Sequence, residues 1–168
     1  MKILIIVLSI LFVFSCSPVR YVSDHLSDAY YPAITTYNIE GECQNLVNKL
    51  QKIRVENAIH QHFQNYGFEQ SDSPDLLIQF IIKEQRESFL SQECNYYGRW
   101  IYGEQCFTKV INYTEGSIVI DIINTDTQAI IWHGAIYSLP FDQIKDPNHK
   151  ISEYVYKLLG DYFLDHQK

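Results

Sequence analysis

The chain has 168 residues, which points to a single domain long enough to bury a real core. An apolar content of 46% and a charged content of 20% are those of a globular protein and argue against intrinsic disorder. A formal net charge of −7 argues against a nucleic-acid binder and against a polybasic membrane patch, both of which need clustered Lys and Arg.

Residues 1–15 form a targeting segment outside the fold. Lys2 is a short positive start, and residues 3–14 are an apolar run, too short for the roughly 20 helical residues that span a bilayer. Val13, Ser15 and Cys16 resemble the lipobox of bacterial lipoproteins, with Phe14 standing where a smaller residue is usual. The resemblance implies cleavage before Cys16, diacylglycerol on its thiol, N-acylation by a chain such as palmitate, and membrane contact through that anchor. The alternative is an ordinary secretory leader or a short anchor with a coincidental cysteine. Ser17 follows Cys16 where Asp resembles an inner-membrane retention signal, so the outer membrane is the expected address. No acidic run follows, which favours the periplasmic face.

Residues 16–28 lack a clear period and read as a lipidated tether, leaving 29–168 as one domain. Residues 30–39 suit a first strand, with Pro32 near its start. Residues 41–45 are a break. Residues 46–66 have helical spacing, with Val55, Ala58, Ile59, His62, Phe63 and Tyr66 on one stripe, and Gly67 suits the position just past the helix end. Residues 71–74 are a turn. Residues 75–87 open on a mostly apolar run that suits an inner strand covered on both faces. Residues 88–107 are a long connection, and 108–113 lead into the next strand.

Residues 116–134 then read as a β-hairpin, two β-branched runs flanking Asn124, Thr125, Asp126 and Thr127. Ile118, Ile120 and Ile122 share one face and should point at the helices. Residues 135–139 extend the second strand. Asp146 and Pro147 are an N-cap and first helical residue, after which Ile151, Tyr154, Val155, Leu158, Leu159, Tyr162 and Phe163 form an apolar helical face. The expected class is α+β: an antiparallel sheet of about four to five strands with two helices packed on one face.

With Cys16 taken by lipid, Cys43, Cys94 and Cys106 remain. An oxidising periplasm permits a disulfide, and an odd count leaves one thiol over. Cys94 and Cys106 bracket the connection between two antiparallel strands, so the ladder should bring them together; Cys43 has no such guarantee. Between them Tyr96, Tyr97, Trp100 and Tyr102 alternate with Gly98, Arg99 and Gly103. Tyr, Trp and Arg are enriched at binding hot spots. Two readings stand: a rigid recognition tip for an envelope protein or glycan, or rings that cover the open face of the sheet.

In these segments the chain resembles the bacterial lipoprotein family catalogued as domain of unknown function 4136. Thr35-Thr36-Tyr37 is similar to its early strand, residues 54–68 to its helix ending in Gly-aromatic, and Pro74-Asp75-Leu76 to its Pro-Asp-Leu strand start. Residues 115–121 with Trp132-His133-Gly134 are similar to its Gly-x-Leu-x-Ile-Asp and Trp-x-Gly hairpin. Ser117-Ile118 replaces the usual Thr-Leu pair, and His133 stands where a basic residue is common. The resemblance implies a fold and an address, and it supplies no catalytic residues.

Few residues suggest chemistry. His60 and His62 are about 200° apart on a helix and cannot share a metal, so no metal site is expected. His133 has no nucleophile tied to it by motif, and Asp121 is a lone carboxylate in an apolar run. No G-x-S-x-G, P-loop, dinucleotide fingerprint, H-E-x-x-H or paired C-x-x-C is present, and no cofactor is expected. The expected function is therefore a non-enzymatic binding or envelope-structural module on the periplasmic face of the outer membrane. The alternatives are a carrier holding an apolar ligand between sheet and helices, and an envelope hydrolase using Asp121 and His133.

Overall fold

The computed structural model describes residues 19–26, 34–43, 49–96 and 104–166. The leader and Cys16 lie outside the described residues, as do Tyr97, Arg99, Trp100 and Tyr102. The elements in chain order are β1 (Arg20–His25), β2 (Thr36–Cys43), α1 (Lys49–Asn65), β3 (Glu69–Gln70), β4 (Leu76–Tyr96), β5 (Glu104–Asn124), β6 (Ala129–Leu139) and α2 (Pro147–His166).

The sheet is mixed, not antiparallel, and among the described residues it has six strands in the order β1-β6-β5-β4-β2-β3. β1, β6, β5 and β4 form an antiparallel half, while β2 runs parallel to both β4 and β3. The expected class of an antiparallel sheet of four to five strands fails for two reasons. First, α1 separates β2 from β4, and a helical crossover returns the chain to the end from which it left, so the two strands pair in parallel. Second, residues 20–25, expected to be tether, form edge strand β1. Its partners are far away in sequence: the Ser23 hydroxyl donates to Asp161 of α2 at 3.1 Å, 138 residues on. Tyr21 faces the Tyr154 ring at 6.5 Å, with the Lys157 ammonium above it at 4.3 Å.

Residues 41–43 of the expected break at 41–45 are strand, and 44–45 lie outside the described residues. β2 runs through Gly41, because the Phe80 ring fills the space that a Cβ at residue 41 would need. The larger correction concerns residues 88–107. They are no connection: β4 and β5 continue through most of this stretch as one long antiparallel pair.

The core lies on one face of the sheet, as the hairpin alternation predicts. Ile118, Ile120 and Ile122 are fully buried with Ile78, Phe80, Ile82, Trp132 and Ile136. They join Val55, Ile59 and Phe63 of α1 and Val155, Leu158 and Leu159 of α2 in one cluster. β4 is an inner strand, but only one of its faces is covered: Leu77 and Ile81 on the other are half-buried. Both helix ends follow their sequence signals. Gly67 takes φ +83° and lets the Phe68 N–H reach back to the Phe63 carbonyl at 3.1 Å. Asp146 accepts from the His149 N–H at 3.3 Å, with Pro147 first in the helix.

Candidate functional site

The residues most suggestive of function divide into three places: a corner at one end of the sheet, the open face, and the part of β4–β5 that leaves the sheet. The corner is structural. The Asp75 carboxylate accepts from the backbone N–H groups of Thr35 and Thr36 at 3.1 and 3.0 Å and from the Thr36 hydroxyl at 2.8 Å. Those bonds, led by the Thr35 N–H, hold its carboxyl below the usual carboxylate range. Thr125 of the β5–β6 turn closes the corner, its hydroxyl donating to the Pro74 carbonyl at 2.6 Å. The Thr-Thr-Tyr and Pro-Asp-Leu segments are thus two halves of one joint. Trp132 and Gly134 are similarly occupied with packing, since the Trp132 ring covers the place where a Cβ on residue 134 would stand.

The open face carries the two residues named for an enzymatic reading, and the structure brings them together. Asp121 and His133 are cross-strand partners, with Oδ1 and Nδ1 2.5 Å apart. Their row continues to Asp24 on one side and to Gln79 and Glu40 on the other. A His–carboxylate pair can hold and move a proton, but this row contains no hydroxyl or thiol that the pair could activate. Among the described residues, no group of three or more His, Cys, Asp or Glu side chains could hold a metal ion.

His60 and His62 separate as their helical spacing requires. His60 Nδ1 shares a hydrogen bond with the Tyr37 hydroxyl at 2.6 Å. His62 is 8% exposed, packed among the rings of Tyr66, Tyr156 and Phe163. Its Nε2 has no hydrogen-bond partner, and burial pushes its pKa down to about 4.

The third place is the one the sequence reading missed. Pairing of β2 with β4 ends at Cys43 and Ile82, and pairing of β5 with β6 ends at Gly116 and Leu139. Beyond these points, among the described residues, β4 and β5 pair only with each other, from Gln85 opposite Glu115 to Tyr96 opposite Glu104. At about 3.3 Å per residue this two-stranded ribbon is roughly 40 Å long. Leu90 and Val110 are directly opposed on it and are 71% and 56% exposed. Cys94 is directly opposed to Cys106, and Cys43, in β2, is a free thiol. A signal for the ribbon was present: structureless connections of about 20 residues are rare inside compact domains.

Buried side chains of the sheet and of both helices meet in one cluster between the two layers. A groove of about 550 Å³ lies between α1 and α2, with Arg54, Asn57, Gln61, Asn148 and Tyr156 among its lining. A second, of about 490 Å³, lies at the root of the ribbon and is lined by Arg20, Lys83, Glu115 and Tyr137 among others.

A family model described as Domain of unknown function (DUF4136) matches residues 21–162. No curated protein matches the chain. Among solved structures, the fold is similar to part of a PDZ domain protein from Parabacteroides distasonis ATCC 8503, at TM-score 0.55 and 12% identity. That match covers 84% of this chain, which spans 35% of the other protein's length. Two structures of the PelC dodecamer from Paraburkholderia phytofirmans are similar at TM-score 0.52 and 8% identity, covering 84% of this chain and 94% of that one. At such identities the likeness is one of fold.

Proposed function

This chain belongs to the DUF4136 family, and from that premise we propose that it is a lipid-anchored protein on the periplasmic face of the outer membrane. In this reading it binds an envelope protein or glycan and catalyses no reaction. The observation that carries the binding role is the ribbon. An isolated two-stranded hairpin is marginal in water, yet β4 and β5 sustain one well beyond the sheet. The stretch with Tyr96, Tyr97, Arg99, Trp100 and Tyr102 joins its two strands in sequence. The opposed Cys94 and Cys106 suit a disulfide across the ribbon, since paired Cα atoms in an antiparallel ladder fall within the span that a disulfide bridges. Occupation of the Thr36, Asp75, Trp132 and Gly134 segments by structural contacts supports a family likeness of fold rather than of chemistry.

Crosslinking in intact cells tests the reading. The wild-type chain should capture a defined envelope partner, and Tyr97→Ala with Trp100→Ala should lose it while the melting temperature holds. Capture that survives both substitutions would move the binding surface elsewhere. Cys16→Ala should leave the protein unprocessed or release it from the outer-membrane fraction; unchanged processing and fractionation would remove the anchor.

A further inference from the structure

The strand register joins two features that the sequence keeps apart. Arg20, the first residue of β1, pairs with Tyr137, two residues before the end of β6. Leu139, at that end, pairs with Gly116, where the ribbon leaves the sheet. The N-terminus of the folded body and the root of the ribbon therefore lie at the same end of the sheet. The lipid-bearing position is Cys16 in the reading above, only four residues before Arg20. Four fully extended residues span at most about 14 Å. Leu90 lies seven residues beyond Lys83, which is at the ribbon root, so it stands roughly 23 Å out along the strand direction.

We propose that the β4–β5 ribbon is a second membrane contact, laying Leu90 and Val110 into the interface of the bilayer that holds the acyl chains of Cys16. This rests on the lipid-anchor reading. A bilayer surface within about 14 Å of Arg20 lies closer to that end of the sheet than the ribbon is long, so a ribbon directed toward it reaches it. The opposed apolar pair on the ribbon has no cover among the described residues. Neutral Ser88, Asn112, Gln92 and Thr108 flank the pair two positions away on the same side of the ladder, so its immediate surroundings carry no charge into the headgroups. An acyl anchor alone leaves a protein free to swivel; a second contact on a short leash fixes its orientation.

The test uses the full chain, lipidated in cells, purified and reconstituted into phosphatidylcholine vesicles with brominated acyl chains. A fluorophore is placed on Leu90→Cys, Val110→Cys or Asp126→Cys in a Cys43→Ser background. Asp126 is exposed in the β5–β6 turn, at the opposite end of the sheet. Labels at 90 and 110 should lose most of their emission to bromine while the label at 126 keeps its own. Equal quenching at 90 and 126 overturns the contact. The mass of the Cys16 peptide from the same sample reports the anchor separately. A lipidated Cys16 with an unquenched ribbon sinks this proposal alone, whereas an unmodified Cys16 sinks the anchor and this proposal with it.

Discussion

Thr36 and Asp75 are bonded to each other in both directions. The Thr36 hydroxyl donates to the Asp75 carboxylate at 2.8 Å and accepts from the Asp75 backbone N–H at 2.9 Å. The pair locks the start of β2 to the start of β4 across the crossover. Asp75→Asn keeps the shape and removes the charge. It should cost about 1–2 kcal/mol at pH 7, the range for hydrogen bonds to a charged group reduced for partial exposure. The folded carboxyl titrates below its unfolded value of 3.8. Its contribution is therefore complete above that value and is lost as pH falls through the lower, folded one. Wild-type and variant stabilities should converge on acidification below pH 3.8; a constant gap would mean that the charge is not what holds the joint.

His62 makes the adjoining, higher pH window informative. Its ordinary value is 6.5, and burial lowers it in the fold to about 4. Stability from this residue is complete above pH 6.5 and should decline as pH falls from 6.5 toward 4, because only the unfolded chain takes up the proton in that window. His62→Phe should flatten that part of the profile. A variant curve parallel to wild type between pH 4 and 6.5 would contradict the buried, neutral imidazole.

Two glycines should respond with opposite signs. Gly134→Ala drives a methyl group into the buried Trp132 ring and should destabilise by about 1–3 kcal/mol, the range for overpacking. Gly160 is in α2 with open space at its Cβ position, and Gly160→Ala should stabilise by up to about 1 kcal/mol. Denaturant melts of the two variants beside wild type decide it.

Leu158 measures whether α2 is docked as described. At 1% exposure, its replacement by Ala should cost about 2–5 kcal/mol. A loss under about half a kcal/mol, the surface range, would undock the helix.

The opposed pair Cys94 and Cys106 should be recovered as one disulfide-linked peptide by mass mapping under non-reducing conditions. Closing a loop of this length should add roughly 3 kcal/mol by the chain-entropy account. Free thiols at both positions would end the claim.

The parts of the fold that could be read from the sequence are those whose determinants are local. The α1 stripe from Val55 to Phe63, the Asp146-Pro147 start of α2 and the Ile118, Ile120, Ile122 alternation each announce themselves within a few residues. The parts that could not be read depend on distant partners. Tyr21 and Ser23 make a strand only because β6 and α2 receive them. Gly41 looks like a break until Phe80 is placed beside it. The ribbon has no strong period, because its residues are not divided between a core and solvent: Leu90 is apolar and exposed. Asp121 and His133 were each visible as unusual, but their meeting depends on strand register.

The position of β1 also governs when the chain can finish folding. Its partner strand lies in residues 132–137, so the sheet edge stays open until nearly the whole polypeptide is available. β2 and β4 must likewise wait for α1 between them. Contacts so distant in sequence make folding slow, since each closes a long loop before it gains anything. A partial product therefore cannot complete the sheet, and its edge closes only once synthesis has passed Leu139.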